Sequence, residues 1–163
     1  MHGKRLLAVA LMLCTGFAGP TQGQELSRGQ TVYVPVYTRV MHGRESAKRG
    51  PETAEFSTML SIRNVDIAHK IAVRSVLYYD TNGKLLKEET AAEHDLAPLG
   101  TESVFISYED KSGGAGANFI VVWDADTQVD IPIIETINIH YVGTQAATIV
   151  TRGQAIHGSP PKQ

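Results

Sequence analysis

From about Thr31 onward the chain is a series of short β-type runs, most of them alternating apolar and polar residues, separated by turn signals, and no stretch keeps a 3.6-residue period long enough for a substantial helix. In Thr31–Thr38, Val32, Val34 and Val36 alternate with Tyr33, Pro35 and Tyr37. Pro35 has no N–H to give to a ladder, which predicts an edge strand or a bulge there. Phe56, Thr58, Leu60 and Ile62 face one way, with Ser57, Met59, Ser61 and Arg63 opposite, as in a strand with one wet face. Ile71–Asp80 is predicted as the next strand, with Ile71, Val73 and Leu77 on the core side and Tyr79 below them. Asp80-Thr81-Asn82-Gly83-Lys84 marks a hairpin, because Asn-Gly tolerates positive φ, and Leu85–Glu89 returns from it. Further strands are predicted at Val104–Tyr108, Ala117–Trp123, Ile131–Val142 and Ala146–Ile156, with Trp123 in the core.

Between these runs lie turn signals. His42–Thr53 is charged, contains Gly and Pro, and is predicted to be a solvated loop. Asn64–Lys70 turns the chain, Leu96–Gly100 is a break, Glu109–Gly116 is a glycine loop, and Asp124–Asp130 is read as another turn. Seven or eight strands spaced by roughly 8–12 residues, with no helix between them, predict an all-β fold. The expected form is a single antiparallel immunoglobulin-like β-sandwich over residues 29–156, with a disordered tail at 157–163.

The first residues change the picture of where this domain works. Met1-His2-Gly3-Lys4-Arg5 is a short basic region, Leu6–Leu13 is uninterrupted and apolar, and Thr15-Gly16-Phe17-Ala18 supplies small residues for cleavage. Residues 1–18 therefore read as a signal peptide, with cleavage after Ala18 or as late as Gly23. The apolar run falls short of the ~20 residues of a permanent membrane anchor. A periplasmic or secreted product follows. Cys14 is the only cysteine among 163 residues, and the bulky Met12 and Leu13 before it disfavour a lipoprotein. Without it the mature domain has neither disulfide nor thiol chemistry.

Composition is ordinary for a globular core, at 42% hydrophobic and 20% charged residues. Loss of residues 1–18 removes Lys4 and Arg5 from 15 basic side chains and none of the 17 acidic ones, leaving a charge of −4. No basic footprint for nucleic acid exists.

Candidate chemistry is sparse. Gly113-Gly114-Ala115-Gly116 lacks the Lys-Ser/Thr of a phosphate loop and precedes a strand, so it reads as an inter-strand loop. His42, His69, His94, His140 and His157 show no local metal spacing. Asp124, Asp126 and Asp130 in one expected turn are the weak candidates for a calcium site. No nucleophile elbow or zinc-protease motif is present, and Glu88-Glu89 point to opposite faces of a strand.

Several segments together resemble a family: Gly29–Tyr37, Leu60-Ser61-Ile62-Arg63-Asn64, Val76–Lys84, Leu96-Ala97-Pro98-Leu99, and Ser112–Val121 with Trp123. In that order they are similar to the uncharacterised bacterial domain-of-unknown-function family 3124. The resemblance implies export, sometimes with a lipid anchor, and no assigned activity, so it carries over no site residues. Where that pattern often has an acidic residue after His-Gly, His42-Gly43 is followed by Arg44. The strand, Arg-Asn and Tyr-Tyr-Asp segments are also similar to immunoglobulin-like accessory domains of cell envelopes. The expected function is a non-catalytic envelope module without cofactor that binds a protein, glycan or small ligand. Its loops at one sandwich end, Ser112–Asn118 and Met41–Pro51, supply Ser112, Gly113, Gly114, Gly116, Asn118 and His42. A metal-binding protein and a cryptic hydrolase are the alternatives.

Overall fold

The computed structural model describes residues 25–45, 50–90 and 92–158. The expected leader, its cleavage sites, Cys14 and most of the expected tail lie outside the described residues. All regular structure among the described residues is β, in antiparallel pairs. In chain order the strands are β1 (Leu26–Pro35), β2 (Arg39–His42), β3 (Glu52–Glu55), β4 (Ser57–Arg63), β5 (Ile71–Tyr79) and β6 (Leu85–Glu88). They continue as β7 (His94–Leu96), β8 (Thr101–Ile106), β9 (Asn118–Asp130), β10 (Ile133–Val142), β11 (Gln145–Arg152) and β12 (Gln154–Ile156).

One sheet has the order β12-β1-β9-β5-β6, with β7 also on β5; the second has the order β11-β10-β4-β8; β2 and β3 form a separate hairpin. The two large sheets share one core. Val32 and Val34 from β1, Val73 and Val76 from β5, and Phe119, Val121 and Trp123 from β9 meet Leu60 and Ile62 of β4 and Ile134 of β10. No helix among the described residues is long and apolar enough to cross a membrane.

Among the described residues, twelve strands replace the expected seven or eight. One of the extra pieces comes from an expected strand cut in two, because the run 146–156 breaks at Gly153 and changes sheets. Its N–H donates to the Ile134 carbonyl at 2.8 Å, and a Cβ there would lie 2.6 Å from a Val32 methyl. Only glycine lets the backbone cross that close to β1. Pro35 ends β1 without making it an edge: β1 lies between β12 and β9, and its bulge falls between Ser27 and Gly29.

In β5 the register slips between Val73 and Ser75, leaving Arg74 as the extra residue. A bulge reverses the inward face beyond it. Val76 and Tyr78 are therefore buried, in place of the expected Leu77 and Tyr79. The β5–β6 turn differs too. Only Gly83 in it takes positive φ, at 78°, and its N–H donates to the Asp80 carbonyl at 3.0 Å. Asp80 closes the turn by accepting from the N–H groups of Asn82 and Lys84.

The expected turn at Asp124–Asp130 is part of β9. Ala125 to Gln128 have no partner on β1 or β5, so what looked like a turn is a wide bulge inside one strand. The expected loop from His42 to Thr53 is likewise partly paired, with His42 opposite Glu52 and Met41 opposite Thr53.

Candidate functional site

One end of the molecule gathers the C-terminal ends of β1, β4's start, the end of β8, the start of β9 and the end of β10. Behind it, a buried polar hub fixes these strands. The Asn138 carbonyl oxygen accepts from Thr58 Oγ1 at 2.8 Å and from the Tyr37 N–H at 3.1 Å. Its amide nitrogen donates to Thr136 Oγ1 and to the Ile149 carbonyl, both at 3.0 Å. All of its side-chain bonding capacity is used, which fixes one arrangement of β1, β4, β10 and β11.

In front of that hub lies a cleft of about 510 Å³ lined by Thr53, Glu55, Ser57, Tyr108, Ile139, His140 and Tyr141. β3 supplies the first two, the start of β4 gives Ser57, Tyr108 follows β8, and the last three come from the end of β10. Antiparallel pairing puts Ser57 opposite Ile139, and the Ser57 hydroxyl donates to the Ile139 carbonyl at 3.2 Å. Arg39 and Glu55 are directly opposed on β2 and β3 and are joined at 2.9 Å. Glu55 Oε2 is buried without a partner among the described residues. His140 Nδ1 lies 2.6 Å from the Glu55 carbonyl. A carbonyl only accepts, so Nδ1 carries the proton and, in the neutral ring, Nε2 is an acceptor. The Phe56 ring braces the imidazole at 5.3 Å between centroids. Tyr108 and Tyr141 are 58% and 71% exposed, so two large aromatic rings stand at the cleft with little cover.

The residues singled out in sequence go elsewhere. Ser112, Gly113, Gly114 and Gly116 form a loop at this same end but do not line the cleft. Thr81 Oγ1 donates to the Gly113 carbonyl and accepts from the Gly116 N–H, each at 2.9 Å, while Thr38 Oγ1 donates to the Gly114 carbonyl at 2.8 Å. Ser112 bonds to the Asp110 carboxylate. Asn118 opens β9 opposite Pro35 and Tyr79. His42 sits on β2 with its Nδ1 4.0 Å from Glu52; among the described residues its hairpin reaches the cleft through Thr53 and Glu55.

Asp124, Asp126 and Asp130 all lie on β9, not in a turn. Both Asp124 oxygens accept from Arg74 at 2.8 Å, and Arg74 also meets Glu93 at 2.7 Å. The Asp124 and Glu93 carboxylates hold the guanidinium pKa above its ordinary value. The bulge at Arg74 aims its side chain at this pair. Asp126 lines the same small groove as Lys70 and Asp95, which are joined at 2.6 Å, and the Asp130 N–H donates to Asp66 at 3.3 Å. Among the described residues no three His, Cys, Asp or Glu side chains are grouped to hold a metal ion. His94, by contrast, is held above its usual pKa by the Ala92 carbonyl and by Glu102.

Sequence reasoning missed the cleft because its parts come from 53–57, 108 and 139–141, with no local motif among them. The one available signal was weak: His140-Tyr141 at a strand end and Tyr108 entering a loop.

Among curated proteins none matches this chain. Its structure is similar to the crystal structure of Thermotoga maritima 1070, with a TM-score of 0.44 and 9% identity, covering 80% of this chain and 97% of that one. The sequence pattern described as "Protein of unknown function (DUF3124)" matches residues 29–156, and the chain belongs to that uncharacterised family.

Proposed function

We propose that this protein is an exported, non-catalytic binding module of the cell envelope whose ligand enters the Tyr108–His140–Tyr141 cleft, carried on an immunoglobulin-like sandwich. The observation that carries the reading is the cleft itself: a concave site where exposed aromatic rings converge with a few fixed polar groups. Binding is favoured over hydrolysis because the Ser57 hydroxyl is spent on the Ile139 carbonyl rather than on His140. Nδ1 of His140 is likewise spent on a backbone carbonyl. Export rests on the basic start and apolar run of the sequence.

Two measurements test it. N-terminal sequencing of the protein from fractionated cells is expected to begin after Ala18, or as late as Gly23, in the periplasmic fraction; cytosolic protein retaining Met1 defeats the export half. Amide-resolved NMR with a fragment library is expected to shift resonances around Tyr108, His140 and Tyr141. Shifts confined to Ser112–Gly116 would return the site to the glycine loop.

A further inference from the structure

We propose that the cleft takes an uncharged sugar ring, a pyranose unit of a glycan, laid against Tyr108 or Tyr141 with its hydroxyls turned toward His140. The inference rests on the cleft being the ligand site and adds the class of ligand. Charge narrows the choice first. Among the described residues, Glu55 is the one carboxylate of the lining, no Lys or Arg lines it, and Arg39 already neutralises Glu55. Among the described residues an anion would meet no cation in the cleft, and a cation would find the one negative charge already matched. A neutral ligand loses neither way.

The polar groups narrow it further. His140 Nε2 is an acceptor in the neutral ring, the Ser57 oxygen keeps acceptor capacity after donating to Ile139, and Thr53 and the two tyrosines each carry a hydroxyl. Glu55 Oε2 is a further acceptor with no donor among the described residues, a costly state for a buried carboxylate oxygen. A ligand rich in O–H donors matches a site rich in acceptors. The tyrosines supply the rest: a pyranose has a C–H face that packs on an aromatic ring and a rim of hydroxyls, the same division of apolar body and polar edge that the tyrosines have. Phe56 and the Asn138 hub hold His140 and its strand in place before any ligand arrives, so little ordering cost remains on binding.

The test uses the purified, isotope-labelled full chain. The probes are neutral disaccharides of glucose, galactose, mannose and N-acetylglucosamine in both anomeric linkages, with galacturonate, choline and trialanine as the competing chemistries. At least one neutral disaccharide is expected to shift the Tyr108, His140 and Tyr141 amides saturably. Its affinity is expected to fall by about tenfold in Tyr108→Ala or Tyr141→Ala and to be largely retained in the matching Phe variant, which keeps the ring. Both tyrosines are exposed, so these variants fold. If galacturonate, choline or trialanine shifts those amides while every disaccharide leaves them unmoved, the sugar assignment is overturned and the cleft reading stands. Disaccharide shifts that map away from the cleft overturn both, and a silent panel overturns the sugar assignment.

Discussion

The glycine loop and the tyrosine cleft lie at the same end of the molecule and are built in opposite ways. In the loop, backbone is what touches. Gly113 packs against the Tyr78 phenol so closely that an added Cβ would sit 2.1 Å from the hydroxyl oxygen. Gly114 takes φ 73°, and a Cβ there would lie 2.7 Å from Thr81 Oγ1. Thr38 and Thr81 tie down the carbonyl and amide groups that a ligand would otherwise use. In the cleft, large side chains stand out with few neighbours, over a hub whose own hydrogen bonds are complete. A run of glycines records how near two pieces of backbone come, whereas an uncovered aromatic records a surface not yet matched.

The largest effect is expected at Gly113→Ala. The new methyl collides with Tyr78 and with the Ala117 methyl 2.8 Å away, and overpacking of this kind costs about 1–3 kcal/mol. Urea unfolding should show that loss while cleft ligands still shift Tyr141. The buried Tyr78 hydroxyl makes no hydrogen bond among the described residues, and burial pushes its pKa up to about 12, ahead of the smaller effect of Asp110. Adding Tyr78→Phe removes the atom in the way and should restore part of the stability. A Gly113→Ala protein of unchanged stability that loses cleft binding would break the comparison.

The same contrast decides what was legible in the sequence. Alternation located β1, β4 and β5 but not the short β2, β3 and β7, because a half-buried strand must repeat every second residue, and the buried Thr58 belonged to the expected apolar face. It failed at Arg74 and at Gly153, where one residue of slippage or one close backbone crossing changes which face or sheet comes next. Nothing in a period-2 pattern encodes either event. Asp124–Asp130 misled for a related reason: a wide bulge in a strand has the polar composition of a turn. The cleft was invisible because pairing of β4 with β10 and the fold-back of β3, both long-range, bring its residues together. The glycine loop drew attention for its composition, and in the structure Gly113 and Gly114 lie where Tyr78 and Thr81 leave no room for a Cβ.

A buried polar knot at the opposite end sharpens the contrast by showing what a fully matched carboxylate does. Asn64 Nδ2 donates to the carbonyls of His69, Leu96 and Ala97. Asp66 accepts from the N–H groups of Ala68 and His69 at 2.8 Å, and these hold its carboxyl at about 2 against an ordinary 3.8. A pKa lowered by folding stabilises the native state above the unfolded value and ceases to do so as pH falls through the folded one. The Asp66 contribution should thus be complete above about pH 4 and gone near pH 2. Urea midpoints taken from pH 5 to pH 2 should converge for wild type and Asp66→Asn at the acid end and separate above it. Parallel curves would remove Asp66 from the acid response.

The smallest effect on stability, and the most discriminating, belongs to the tyrosines. Tyr108 and Tyr141 make no side-chain hydrogen bond among the described residues and are more than half exposed. Truncating either to alanine should move the unfolding free energy by no more than about 0.5 kcal/mol, the range of surface substitutions away from packed features. Such a change lies near the limit of a urea curve, so the two variants should overlay wild type while their ligand response collapses. That pairing inverts Gly113→Ala, where the fold suffers and the response survives. A Tyr141→Ala protein losing stability on the scale of Gly113→Ala would mean that the ring is packing rather than waiting for a ligand.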